Sequence, residues 1–197
     1  MDKKKVFEVK GVSDSDFAKD QTTRRSVSGF AVFLNNGVIS TKSKMQGSVS
    51  LSVTEAELMA ATSCAQEMIY VKNLLEAMQL KVKTPMKLQL DNKGAIDLIN
   101  NWSIGGRTRH IGVRINFMRE LKESGIIEVD WVPTEQNCAD MFTKNLPGKA
   151  FTRHAQLFCG SVDSNSNLIQ WEGVTMGSRK MEDVDDESEE VPKVTQA

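Results

Sequence analysis

The feature that most constrains this chain is a turn. Asn35-Asn36-Gly37 sits between the runs "SGFAVFL" and "VISTKSK". Asn and Gly tolerate positive φ, and such a group between two strand-like runs predicts a tight β-hairpin. A strand-like run also precedes the hairpin, "KVFEVKGVS", ending in the acidic cluster "DSDFAKD". A helix-like stretch follows it, residues 54–78. "MKLQLD" then alternates Met86, Leu88 and Leu90 with polar residues as a short strand does, and "NKGAIDLINN" reads as a short helix. "RHIGVRINFMRELKESG" is a longer helix stopped at Gly125, "IIEVDWVP" a last strand, and "NCADMFTKNL" a last helix broken near Pro147. The predicted order is β-β-β-α-β-α-α-β-α. Three locally paired strands followed by strand–helix alternation predict an α/β (α+β) domain, a mixed sheet flanked by helices.

Composition sets boundaries on this picture. Residues 161–197 carry 3 basic against 9 acidic side chains (net −6), leaving 22 basic against 17 acidic in residues 1–160 (net +5). "MEDVDDESEE" is a like-charge block that stays solvated, so 161–197 is expected to be an acidic, disordered tail on a domain at 1–160. The mildly basic domain is compatible with a phosphate-backbone partner. No apolar run is long enough to span a membrane and no secretory signal opens the chain. The three cysteines (Cys64, Cys138, Cys159) form no CxxC pair, which argues against disulfide partners or a zinc ribbon and fits an intracellular compartment.

Four carboxylates lie at the ends of these elements. Glu57 heads an apolar helical stripe of Ala60, Cys64, Met68, Val71 and Leu75, whereas Glu55 heads the more polar Met59, Thr62 and Gln66. A carboxylate turned to a core needs a donor or a cation. Thr54-x-x-Glu57 also has capping-box spacing, in which Glu57 simply closes the helix. Asp14 reads equally as a turn residue after the first strand, Asp91 as a helix N-cap and Asp140 as a first-turn acid. If the first and fourth strands are parallel neighbours, Asp14 and Asp91 emerge together, with Glu57 and Asp140 brought alongside. Four carboxylates so gathered repel one another unless cations neutralise them. With no His or Cys cluster nearby, the hard, oxygen-seeking Mg²⁺ is the expected ion.

"GVSDSDFAKDQTTRRSVSGFAVFLNNGVISTKSK", "SLSVTEAELMAA", "LQLDNKGAI", "RTRHIGVRINFMRE" and "VDWVPTEQNCADMFTK" together resemble the ribonuclease H domain of copia-type (LTR) retrotransposon Pol polyproteins, from about residue 8 to residue 160. The resemblance implies a ribonuclease H-like fold: five strands, the first three antiparallel and the last two parallel to the first. It implies endonucleolytic cleavage of the RNA strand of RNA–DNA hybrids, with Asp14, Glu57, Asp91 and Asp140 as catalytic metal ligands. Two Mg²⁺ ions would be held there, with Mn²⁺ as a substitute, about 3.5–4 Å apart as in other two-metal hydrolases. Arg24, Arg25, Ser26 and Ser28, Asn92, and Arg107, Arg109, His110 and Arg114 are the expected substrate contacts. A reverse transcriptase domain is the expected protein partner and the cytoplasm the expected location, the nucleus the second choice. The chain departs from the family's pattern at Phe17, where Trp is common, and at Gly112, where Asp is common. No polymerase, integrase or protease pattern precedes the segment, which is compatible with a polyprotein fragment, a gene remnant or a product put to new use. The competing reading is a domain that binds nucleic acid without cutting it.

Overall fold

The structure, a computed structural model, describes residues 6–101 and 111–159. Its elements are β1 (Val6–Phe7), β2 (Val9–Asp16), β3 (Val27–Leu34), β4 (Gly37–Met45), α1 (Val53–Ala77), β5 (Lys81–Val82), β6 (Met86–Leu90), α2 (Lys93–Asn100), α3 (Gly112–Glu123), β7 (Ile127–Trp131) and α4 (Gly148–Cys159). Two 3-10 turns, Thr134–Gln136 and Cys138–Phe142, connect β7 to α4. Arg107, Arg109 and His110, and the acidic segment 161–197, lie outside the described residues.

The hairpin forms as its turn dictates. Asn35 and Asn36 both take positive φ (48° and 69°), and Leu34 pairs with Gly37. The main sheet has the strand order β4-β3-β2-β6-β7. The pairs β2–β3 and β3–β4 are antiparallel, and β2–β6 and β6–β7 are parallel. This is the five-stranded mixed sheet expected above. The leading strand is split at Glu8, because Val6 and Phe7 leave the main sheet to pair with Lys81 and Val82 in a small parallel sheet.

Helix α1 crosses one face of the sheet. Its Ala60, Cys64, Met68, Val71 and Leu75 stripe is buried with Leu58, Leu88 and Phe30, each large apolar side chain contributing roughly 1.5–3 kcal/mol. The close approach depends on Gly11, where a Cβ would collide with Met68 Sδ and sit 2.7 Å from Cys64 Sγ. On the other face a smaller core of Val12, Ala31, Phe33, Cys138 and Ala139 is covered by Phe142 and Phe158. Cys64 and Cys138 are both free thiols. The single last helix of the sequence reading is two elements: the 3-10 turn 138–142 and then α4, which resumes after Pro147. Proline is well accommodated just ahead of a helix, which is why it marks a restart here rather than a stop. At the far end of the helical layer, the buried Arg119 donates to the carbonyls of Ile99 (3.3 Å), Leu98 (2.7 Å) and Asn101, closing the C-terminal end of α2.

Candidate metal centre and substrate groove

Capping at the start of α1 decides what Glu57 is free to do. Ser52, not Thr54, is the N-cap: its side chain accepts from the Glu55 N–H (3.1 Å), and Glu55 Oε2 accepts from the Leu51 N–H (2.7 Å). The capping residues are therefore Ser52 and Glu55, two positions earlier than the Thr54/Glu57 spacing suggests, and Glu55 is buried rather than facing water. Glu57 is left pointing inward. Its Oε1 accepts from Ser15 N–H (3.1 Å) and Ser15 Oγ–H (2.9 Å), while Oε2 is buried with no hydrogen-bond partner.

Asp14 is not a turn residue. β2 continues through Asp16, so Asp14 lies inside the strand opposite Gly29, and it is 1% exposed. A Cβ at Gly29 would meet Thr143 Cγ2 at 2.7 Å and Phe142 Cβ at 2.8 Å, so only a glycine lets that chain segment come so near. Thr143 uses the space to donate its hydroxyl to Asp14 Oδ2. Asn137 anchors the same segment, donating from Nδ2 to the Ser13 carbonyl (3.0 Å) and capping the 3-10 turn at Ala139.

Asp91 is likewise free of capping duty, because Asn92 is the N-cap of α2 and accepts from the Ala95 N–H (2.9 Å). The Asp91 carbonyl is held by Trp131 Nε1–H (3.1 Å), whose ring carries Lys93 Nζ 4.8 Å from its centroid. Because β2 and β6 are parallel neighbours, Asp14 and Asp91 emerge at the same end of the sheet. The α1 N-terminus brings Glu57 beside them, and one carboxylate oxygen from each of the three lies within 4.8 Å of the others. Asp140, in the first turn of the 3-10 segment as expected, joins through a lysine: Lys144 Nζ is 2.9 Å from Asp140 Oδ1 and 3.2 Å from Asp14 Oδ2.

The electrostatics follow from this geometry. Burial, opposed by the Thr143 hydrogen bond and Lys144, pushes Asp14 from the usual 3.8 up to about 7. Burial, reinforced by the Asp14 charge, pushes Glu57 from 4.5 up to about 8. The Lys144 ammonium is held in its charged form by Asp140 and Asp14 against its own burial. The carboxylates thus cannot all ionise comfortably without a cation. An all-oxygen donor set with an orphaned, buried Glu57 oxygen fits a hard divalent ion such as Mg²⁺.

The other expected contact residues scatter. Ser28 and Arg114 line a groove of about 560 Å³ together with Lys42, Lys44, Gln46 and Ser63. None of the four carboxylates lines it, and one lining residue connects to them through the sheet: Ser28 accepts from Gln46 Nε2 (2.8 Å) and pairs across the sheet with Ser15, the residue that holds Glu57. Among the described residues, Lys42, Lys44 and Arg114 form no ion pair with a carboxylate. The sequence reading missed Lys42 and Lys44, whose alternation on an edge strand reads as protection of that edge. Arg24 and Arg25 are exposed in the turn after β2, closed by Asp20 and Thr23. Ser26 is fully buried and its hydroxyl accepts from the Ala18 N–H (3.0 Å), so it secures that turn instead of reaching a substrate.

Comparison with known proteins places these features in context. No family model matches the chain. It is 39% identical over 143 residues to the "Retrovirus-related Pol polyprotein from transposon TNT 1-94" of Nicotiana tabacum, covering 73% of this chain and 11% of that protein. It is 34% identical over 143 residues to the corresponding polyprotein from transposon RE1 of Arabidopsis thaliana, covering 73% of this chain and 10% of that one. The chain therefore spans about a tenth of the length of these curated relatives. Among solved structures, an LC11-RNase H1 in complex with RNA/DNA hybrid superposes with a TM-score of 0.54 at 12% identity, covering 73% of this chain and 99% of that one. A mixed sheet with Asp14 in one parallel strand, Asp91 at the end of its neighbour and Glu57 on the helix beside them, on a sequence homologous to transposon Pol, makes this chain a domain of ribonuclease H-like fold homologous to a segment of retrotransposon Pol polyproteins.

Proposed function

We propose that this chain is a metal-dependent endonuclease that hydrolyses the RNA strand of RNA–DNA hybrids, as the copia-type resemblance implies. The observation that carries the reading is the convergence of Asp14, Glu57 and Asp91 within 4.8 Å around a Glu57 oxygen that has no protein partner. Asp14, Glu57 and Asp91 would hold Mg²⁺, which when bound polarises the scissile phosphate and acidifies a bound water. The chain's own residues set the geometry. Ser15 fixes Glu57 through two hydrogen bonds, Thr143 and Lys144 fix Asp14, and Trp131 fixes the backbone of Asp91. Lys42, Lys44 and Arg114 line a groove and would track phosphates of the nucleic acid. The substrate's 2′-hydroxyl is the group that would distinguish RNA from DNA.

The solved relative carries an RNA/DNA hybrid, which supports this substrate class for the fold. In the wider polyprotein a reverse transcriptase region would generate the hybrid, in the cytoplasm, and 161–197 would be an acidic tail outside the catalytic domain. The competing reading, hybrid binding without cleavage, is favoured by one observation: Lys144 already neutralises Asp14 and Asp140. The separating experiment is cleavage of a hybrid with end-labelled RNA in Mg²⁺, beside DNA–DNA and RNA–RNA duplexes and the Asp91→Asn protein. Cutting confined to the hybrid and lost in Asp91→Asn is expected. Binding of the hybrid without cutting, by a folded wild type, would establish the competing reading.

A further inference from the structure

The β7 edge of the sheet carries an unneutralised cation close to Asp91. The strand order β4-β3-β2-β6-β7 puts Asp14, in β2, and Asp91, the residue after β6, at the middle of the sheet. Lys42 and Lys44 lie on one edge strand, and Trp131, the last residue of β7, lies on the other. Trp131 is half exposed (48%), and the Lys93 ammonium rests 4.8 Å from its ring centroid. Lys93 is itself exposed and forms no ion pair among the described residues.

Helix stability does not account for this lysine. Lys93 is the first residue of α2, where the helix dipole disfavours a cation, and the first turn of α2 holds no acid to offset it. Asp97, four residues on, has the spacing of a helical ion pair, yet the ammonium lies on the indole face instead. A π face orients an ammonium through its quadrupole without supplying a counter-charge. The indole is fixed in turn, because its N–H is donated to the Asp91 carbonyl (3.1 Å). The cation is thus held in place, charged and open to solvent, and it lacks an anion.

Position identifies that anion. Neighbouring strands are about 4.8 Å apart, so β7 lies roughly 5 Å from β6 and roughly 10 Å from β2. That span is on the order of three nucleotides of one strand, at about 3.4 Å of axis each. A nucleic acid with its scissile phosphate at Asp14, Glu57 and Asp91 therefore carries a neighbouring phosphate past Lys93. We infer that Lys93, oriented by the Trp131 ring, is a phosphate contact for the nucleotides that flank the cut on the β7 side, separate from the Lys42 and Lys44 edge. The inference rests on the reading of the trio as a site that acts on RNA–DNA hybrids. Trp131 has two duties in it: its N–H holds Asp91, and its ring face holds Lys93.

Fluorescence anisotropy of a labelled hybrid, titrated with the full chain in EDTA at several salt concentrations, tests this without cleavage. Lys93→Met is expected to reduce the slope of log K against log salt by about 1, the loss of one phosphate contact. Lys93→Arg, which keeps a cation able to lie on the ring, is expected to keep the slope. Trp131→Leu, which removes the ring face and leaves the lysine, is expected to weaken binding about two- to fivefold, the size of an exposed cation–π interaction. Trp131→Phe keeps an aromatic face and is expected to lose less than Trp131→Leu. A purely structural role for Trp131 predicts equal losses, because both variants lack the indole N–H. Should Trp131→Leu unfold, the Lys93 variants, altered only at an exposed side chain, decide the matter alone. An unchanged slope in Lys93→Met, or equal losses in folded Trp131→Phe and Trp131→Leu, would overturn the proposal. A wild type that binds no hybrid at any salt concentration would instead remove the nuclease reading, and the proposal with it.

Discussion

Replacing Glu57 by Gln is expected to stabilise the metal-free protein while abolishing its chemistry. Glu57 is 3% exposed, and burial together with the Asp14 charge raises its carboxyl from 4.5 to about 8. In the unfolded chain at pH 7 the group is ionised; in the folded chain it is largely protonated. The folded value lies above the unfolded one, so Glu57 makes no charge penalty below about pH 4.5 and costs stability increasingly as pH rises toward about 8. At pH 7 that cost is about 3 kcal/mol, and at pH 5 about 1 kcal/mol. Gln keeps an oxygen to accept both Ser15 hydrogen bonds and carries no charge to desolvate. Thermal unfolding in EDTA at pH 7 should therefore show Tm raised by roughly 6–12 °C, at 2–4 °C per kcal/mol for a chain of this size, with the gain shrinking at pH 5. Mg²⁺ should stabilise wild type more than the variant, narrowing or reversing the difference. A Glu57→Gln protein that is no more stable than wild type at pH 7, or whose advantage grows toward pH 5, would refute the reasoning.

Other consequences follow from single side chains. Gly29→Ala should push back Thr143 and Phe142, loosen Asp14 and cost about 1–3 kcal/mol, read by urea unfolding together with a lower affinity for Mn²⁺. Arg119→Met should expose or orphan the carbonyls that end α2 and destabilise the fold by roughly 2–4 kcal/mol, with hybrid affinity per folded molecule unchanged. Lys42→Ala and Lys44→Ala should each weaken the salt dependence of hybrid binding, reducing the slope of log K against log salt by about 1 for each phosphate no longer neutralised. A slope unchanged in the double variant would separate the groove from the substrate path.

The architecture was legible where its causes are local. The Asn35-Asn36-Gly37 turn needs only its own φ angles, and the α1 stripe needs only a helical period, so both could be read directly. The parallel pairing of β2 with β6, which brings Asp14 and Asp91 together, stood in the residues only as a condition and was implied by the family resemblance. What escaped was tertiary. Asp14 offered a turn reading because it follows a strand-like run, but in the sheet that stretch is a strand in which Asp14 and Ser15 find partners in distant segments. Thr143 and Lys144 are 129 and 130 positions away from Asp14 and carry no local signal of their role. The capping spacing at α1 offered two frames, Ser52/Glu55 and Thr54/Glu57, and only the frame that the folded chain adopts shows which glutamate remains for the site. Helix α4 was lost to a proline read as a stop.

The central claim, that Asp14, Glu57 and Asp91 hold a divalent cation, is tested most directly by anomalous diffraction from crystals grown with Mn²⁺. A peak bounded by one oxygen of each of the three carboxylates, lost in Asp91→Asn, is the predicted result. No peak there at saturating Mn²⁺, with the three side chains ordered in their present positions, would contradict it.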